Sequence, residues 1–197
     1  NRSVIFIGNP FMDPIFIQKK QLPKNGLRLA IFPGSRRPEL DRNLLLILRV
    51  LETFPRDILL NRKISFDMAL VDSLEDKDLI NLVSKYNLQL LPDNGLKNSI
   101  TLSNGCFRLN IYRNSFVQVL QNSDACLSMA GTATEQAVGL AKPVIQLPGK
   151  GPQFTSAFAE SQRRLLGPTV FCVDSNVQNS KRICFETSNL ILDIFDR

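Results

Sequence analysis

The chain has 197 residues, and 44% of them are hydrophobic, which suits one good core and excludes a disordered protein. Its net charge of +6 favours anionic partners such as nucleotide diphosphates, nucleic acid or an acidic membrane surface, with a merely solvated basic surface as the alternative. The chain has no histidine, which removes Ser-His and Cys-His nucleophile pairs and histidine-based zinc sites. Its basic residues are scattered and resemble no nucleic-acid module, so we expect no nucleic-acid partner.

Cysteine usage and the first residues bear on where the protein works. The sequence has four cysteines and no C-x-x-C pair, and Cys126 and Cys172 fall in predicted buried strands, so we expect reduced thiols. No apolar run approaches the about 20 residues that cross a bilayer, and the start of the chain does not have the pattern of a signal peptide. We therefore expect a cytoplasmic protein. Residues 1–26, which contain three prolines, are predicted to be an interdomain linker that follows an absent N-terminal domain.

Short apolar runs alternate with amphipathic stretches from residue 27 onward. The predicted strands are 27–32, 66–71, 88–91, 125–128, 144–147 and 169–173. The predicted helices cover 74–86 (capped by Ser73), 132–140, 155–166 and 178–196. Two more are predicted, one with Pro38 in its first turn and one capped by Asn114 or Ser115. Residues 99–112 break this rhythm and are predicted to form a small hairpin insertion. The alternation predicts an α/β fold with a parallel sheet and helices on both faces.

Three predicted loops, at 33–37, 129–132 and 148–153, follow strands at the edge of the sheet where such folds bind ligands. In the first loop, Gly34 lets the backbone approach a ligand, and Arg36 can donate forked hydrogen bonds to a phosphate or carboxylate. An ordinary strand-to-helix loop with solvated arginines is the alternative.

The second loop opens a helix at Gly131 and carries Glu135 into its first turns. Thr132 and Glu135 have the spacing of a capping box, which is a purely structural role. The functional alternative is that the Glu135 carboxylate accepts hydrogen bonds from ribose hydroxyls, as an acidic residue does in dinucleotide folds.

The third loop supplies small residues and one amide side chain. Gly149 and Gly151 would let a sugar or phosphate lie against the backbone, and Gln153 can read hydroxyl groups. A flexible surface loop is the alternative. Neither G-x-G-x-x-G nor a Walker loop occurs, which disfavours an NAD enzyme or an ATPase. On the helix that follows, Gln162 is expected on the solvated face.

Taken together, these segments resemble one family. The run I-F-P-G-S-R at residues 31–36 is similar to the L-L-P-G-S-R segment of lipid-A-disaccharide synthases, and S-M-A-G-T-A-T-E at 128–135 is similar to their S-G-T-A-x-x-E segment. The run G-N-P-F-M-D at 8–13 resembles the stretch where the family's chain crosses between its halves. M-A-G-T-A-T-E-Q and L-P-G-K-G-P-Q-F resemble the branch known as lipid-A-disaccharide synthase-related proteins.

The resemblance implies a GT-B glycosyltransferase, which has two Rossmann-like halves with the active site between them. Residues 27–197 would be the C-terminal half, which binds the UDP-sugar donor and needs no metal. The full-length enzyme would transfer an acylated hexosamine-type sugar to a lipid-linked or sugar acceptor at the inner face of the membrane. The catalytic base would belong to the N-terminal half, so this chain alone would be inactive.

The expected donor-binding residues are those of the three loops. In the family, the residues that match Arg36 and Glu135 lie at the donor nucleotide. The full set is Gly34, Ser35, Arg36, Gly131, Thr132, Glu135, Gly149, Gly151 and Gln153. A UDP-sugar 2-epimerase relative is the alternative within enzymes, although the histidine of that chemistry is missing. A non-catalytic module that binds a nucleotide or a protein partner is the alternative outside enzymes.

Overall fold

The computed structural model describes residues 5, 8–13, 15, 26–91, 99–149, 155–173 and 180–197. Its centre is one sheet with eight strands among these residues. The strands are β1 (Arg28–Phe32), β2 (Ser65–Leu70), β3 (Gln89–Leu90), β4 (Ser99–Ser103), β5 (Arg108–Arg113), β6 (Ala125–Ser128), β7 (Val144–Gln146) and β8 (Val170–Cys172). The described α-helices are α1 (Glu39–Leu51), α2 (Arg56–Asn61), α3 (Asp76–Val83), α4 (Phe116–Gln121), α5 (Gly131–Gly139), α6 (Ser156–Leu166) and α7 (Ser180–Phe195).

The order of the strands is β3-β4-β5-β2-β1-β6-β7-β8. The strands from β5 to β8 in this order are parallel, whereas β4 is antiparallel to both β5 and β3. Counted alone in chain order, the six parallel strands run 3-2-1-4-5-6, which is the order of doubly wound dinucleotide folds. The chain builds outward from β1 through β2 to β5 and then returns to place β6 on the other side of β1. The order therefore reverses between β1 and β6.

Helices cover both faces of the sheet, as the sequence predicts. Alternate residues of β1 point to opposite faces, so Leu29 and Ile31 join one apolar cluster and Ala30 and Phe32 the other. The first cluster is completed by α1, α3 and α7, and the second by α4 and α5. The apolar stripe of α1 is buried because its leucines recur at helical spacing.

The hairpin near 99–112 forms, but it is not an insertion. Strand β5 pairs in parallel with β2 over five residue pairs, from Phe66 with Leu109 to Leu70 with Arg113, so it belongs to the main sheet. Only β4 and the two-residue edge strand β3 are added beyond it, and β3 is shorter than the predicted 88–91. The sequence pattern did not predict this place in the sheet, because β5 is held by pairing with β2, which is about 40 residues earlier in the chain.

Two helices differ from the sequence-based expectation. Helix α3 begins at Asp76 after Glu75 and has no side-chain cap, so the predicted capping role of Ser73 is wrong. The short helix α2 was not predicted, because its six residues are too few to show a clear period. None of the helices in the described ranges is long and apolar enough to cross a membrane.

The described residues between 8 and 15 lie against the sheet domain. The side chain of Gln136 on α5 donates a 2.6 Å hydrogen bond to the carbonyl of Phe11. Ile15 is fully buried in the second apolar cluster, and Met12 contacts Gly139, where a Cβ would lie 2.5 Å from its methyl group. This segment therefore packs on α5, and the linker role of residues 1–26 stays a prediction.

Candidate functional site

A cavity of about 350 Å³ lies at the carboxyl ends of β1 and β6. This is where the strand order reverses, the position at which open α/β sheets bind ligands. Its volume is within the range of small-molecule sites. It is lined by Gly34, Ser35, Arg36, Glu39, Leu40, Asn43, Met129, Ala130, Gly131, Thr132 and Phe158. Two of the three predicted loops therefore meet at one cavity.

Backbone and side-chain contacts hold these two loops side by side. The amide of Met129 donates a 2.8 Å hydrogen bond to the carbonyl of Phe32, which extends the pairing of β1 with β6 into the loops. The buried Asn43 on α1 donates from Nδ2 to the carbonyl of Pro33 at 2.9 Å. Gly34 has a φ of +109°, which residues with a side chain rarely adopt. The sequence at this turn thus fixes a backbone that a ligand can approach closely.

The two neighbouring arginines of the first loop have different surroundings. Arg37 makes ion pairs with Asp41 at 2.9 Å and with Asp78 at 3.0 Å, and hydrogen bonds to these carboxylates raise its pKa. Arg36 is exposed and lines the cavity, and its guanidinium has no ion pair or hydrogen bond with any residue that the structure describes. Of the two guanidinium groups, Arg36 is therefore the one positioned to pair with an anion in the cavity.

The start of α5 forms the other side of the cavity. Its N-cap is Ala130, and no side chain caps it, so the capping box predicted for Thr132 and Glu135 is wrong. The reason is that the helix begins at Gly131, which puts Thr132 inside the first turn instead of at the N-cap. The first amide groups of the helix are thus left without a side-chain partner, which suits an anionic ligand.

A second cavity, of about 320 Å³, adjoins the first. The two cavities share Gly34, Ser35, Ala130 and Thr132, so the loops form a ridge between them. The second is more apolar, because its lining includes Phe32 and Phe116, whose ring centroids are 4.9 Å apart, together with Leu70 and Ala133. The arrangement can hold a ligand that has a charged part and an apolar or planar part on opposite sides of the ridge.

The remaining predicted site residues are not brought to these cavities by the described part of the structure. Glu135 is half-buried on α5, one turn beyond Gly131 on the same side of the helix, and lines neither cavity. Gly149 follows β7 and also lines neither cavity. Gly151 and Gln153 lie outside the described residues.

Sequence reasoning missed several residues around the first cavity. Glu39 and Asn43 of α1 line it, as does Phe158 of α6. Asn43 had a detectable signal, because a polar residue on the apolar stripe of α1 is predicted to be buried and to need a partner. For Glu39, the sequence shows no sign of a place in the cavity beyond its position in the first turn of a helix.

Gln162 is the clearest disagreement with the predicted solvated face. It is only 8% exposed, and its Oε1 accepts a 2.6 Å hydrogen bond from Nε2 of Gln146, which is fully buried in β7. Gln146 also donates to Thr134 and accepts from Cys172, whose thiol pKa is raised by burial. Gln162 lies three residues after the buried Ala159 and so shares its inward face of the helix.

Metal ligands are not clustered in the part of the chain that the structure describes, where no three His, Cys, Asp or Glu side chains converge. Comparisons of the chain with protein-family models, with curated proteins and with solved structures found no match.

Proposed function

We propose that this chain is the nucleotide-sugar-binding half of an inverting GT-B glycosyltransferase similar to the lipid-A-disaccharide synthases. The donor would be a UDP-sugar, and the acceptor a lipid-linked or free sugar at the membrane surface. The observation that carries the proposal is the cavity at the reversal of strand order. The loop after β1 contributes a glycine and the Arg36 guanidinium, which has no partner among the described residues, and the loop after β6 contributes the uncapped start of a helix. Helix amides and a guanidinium are two groups that commonly bind the phosphates of a nucleotide.

The proposed role of this half in the reaction is to stabilise UDP as the leaving group. When an acceptor hydroxyl attacks the anomeric carbon, the bond to the diphosphate breaks and negative charge grows on UDP. The amides at the start of α5 and the Arg36 guanidinium would hydrogen-bond that charge, and such interactions lower the barrier most when they are positioned in advance. The base that takes the acceptor proton would come from the other half of the enzyme. We therefore expect this chain to bind UDP and to transfer nothing.

Calorimetric titration of the chain with UDP and ADP tests the proposal. We expect UDP to bind more tightly than ADP, and Arg36→Ala to weaken UDP binding by about 10- to 100-fold, because a hydrogen bond to a charged group is worth about 1.5–3 kcal/mol. Arg37→Ala is the matched control, since Arg37 is already paired with Asp41 and Asp78 and should leave the affinity unchanged. Equal binding of UDP and ADP, or no effect of Arg36→Ala, would refute the donor pocket.

Two carboxylates are candidates for accepting hydrogen bonds from the ribose hydroxyls of the donor. Glu135 is the candidate from the family resemblance, whereas Glu39 is the one that lines the cavity. We expect the wild-type chain to prefer UDP to 2′-deoxy-UDP, Glu135→Gln to abolish that preference, and Glu39→Gln to keep it. If Glu39→Gln abolishes it instead, the ribose belongs on the α1 side of the cavity and the role of Glu135 is structural.

A further inference from the structure

The side-chain amide of Gln162 on α6 lies next to the start of α5. Because Oε1 of Gln162 is engaged by Gln146, its Nε2 must face the other way. That nitrogen lies 3.6 Å from the position that a Cβ on Gly131 would occupy, so it borders the first residue of the helix. It has no hydrogen-bond partner among the described residues, although the side chain is only 8% exposed. Among the described residues no buried side-chain nitrogen lacks a partner, so this Nε2 reaches the surface and is an open donor beside the uncapped helix start.

The orientation of the Gln162 amide is fixed by its hydrogen bond with Gln146 in β7. Gln146 is fully buried, and its own amide is oriented by Thr134, which accepts from Nε2 at 3.3 Å, while the Cys172 sulfur lies 3.8 Å from Oε1. With Nε2 of Gln146 pointing at Gln162, the Gln162 side chain can only present Oε1 to it. The buried chain of hydrogen bonds thus sets which atom of Gln162 faces the helix start.

We propose that Gln162 is a ligand-binding residue that donates from Nε2 to a phosphate oxygen of the nucleoside diphosphate held at the start of α5. This inference rests on the proposed function for the identity of the nucleotide, but the binding of a phosphate group by Gln162 can be tested separately. The helix amides and the Gln162 amide would approach the same oxygen from two sides, while Arg36 reaches it from the loop after β1. Gln146 acts as a positioning residue, because it does not touch the ligand and only holds Gln162.

Two substitutions separate the donor from the packing. Gln162→Glu keeps an oxygen for Gln146 to donate to and replaces the free donor with a carboxylate, which the helix start tolerates because its dipole favours negative charge. That carboxylate would occupy the place of the ligand oxygen. Gln162→Met removes the donor while preserving length and volume, and Gln146 retains Thr134 as an acceptor. Ser161→Glu is the control, because it adds the same charge to an exposed position of the same helix.

The experiment is titration of the wild-type chain and the three variants with UDP, ADP and inorganic pyrophosphate, after thermal unfolding has shown that each variant is folded. We expect Gln162→Met to weaken UDP and pyrophosphate by about 10-fold and Gln162→Glu by up to about 100-fold, with Ser161→Glu unchanged. Wild-type affinities retained by both Gln162 variants would overturn this inference and leave the UDP proposal standing. If pyrophosphate binding depends on Gln162 but UDP is not preferred to ADP, the inference stands and the UDP proposal fails. No binding of any probe by the wild-type chain would overturn both.

Discussion

Arginines lie at both edges of the parallel sheet, where its strands begin and where they end, but Arg28 and Arg36 differ in their surroundings. Near the amino edge, Arg28 makes a 2.8 Å ion pair with the buried Asp67, whose other oxygen accepts from Asn110. A cavity of about 280 Å³ at the same edge is lined by Arg56 and Arg108. At the carboxyl edge, Arg36 has no partner among the described residues. Arg28 is thus held by partners inside the fold, whereas the Arg36 guanidinium borders the cavity at the start of α5 and can pair with an anion.

The cluster of Arg28, Asp67 and Asn110 also affects the pKa of the neighbouring Tyr112. Burial and, to a smaller extent, the nearby charge of Asp67 raise the pKa of Tyr112 to about 12. A group of polar atoms that satisfy one another in this way stabilises the sheet and leaves little capacity for a ligand. We expect substitutions in this cluster to lower stability and substitutions at the carboxyl edge to lower ligand affinity.

The largest expected effect is on stability, from Asp67→Ala. Removing this carboxylate leaves the Arg28 and Asn110 side chains without their shared acceptor, and breaking a buried ion pair costs about 3 kcal/mol or more. Urea unfolding should show that loss, while UDP affinity of the folded protein stays the same. Asp41→Ala, which removes the partly buried carboxylate that pairs with the exposed Arg37 near the carboxyl edge, is the control and should change the unfolding midpoint little. A loss of UDP affinity in Asp67→Ala would mean that the edges are not independent.

The second effect separates backbone strain from binding by comparing two glycines. Gly34 in the first loop and Gly105 in the β4–β5 turn both have positive φ, at +109° and +81°. Alanine should cost about 1–3 kcal/mol at either position, because a side chain is strained in this conformation. Only Gly34→Ala should also weaken UDP, since Gly34 lines the cavity at the carboxyl edge. Equal UDP affinity in the two folded variants would remove the first loop from the site.

The smallest effect concerns thiol reactivity and leaves the fold unchanged. Cys106 is exposed at the amino-edge cavity, whereas burial raises the pKa of Cys126 to about 12. At pH 8 the Cys126 thiol should therefore stay protonated and resist alkylation, while Cys106 is modified first. Mass spectrometry after limited labelling measures this order, and labelled Cys106 should not alter UDP binding. Loss of binding on that modification would move the ligand to the amino edge.

Local pattern was enough to predict most of the fold. The stripe of α1 and the apolar runs of β1 and β6 carry their own periodicity, so their places in the sequence predicted both loops of the first cavity. The sequence did not predict that β5 belongs to the main sheet, because this depends on its pairing with β2, which is distant in the chain. Gln162 was missed because it sits beside Arg163 in a polar run, and only the packing of α6 on β7 makes it face inward.

The single most direct test is a residue-by-residue map of UDP binding by NMR. Amide correlation spectra of the isotope-labelled chain should change most at Gly34, Ser35, Arg36, Gly131 and Thr132 as UDP is added, because these residues border the cavity where the strand order reverses. The amides around Gly105 at the amino edge should stay in place. Shifts that concentrate at the β4–β5 turn, or that are absent from both loops at saturating UDP, would contradict the account.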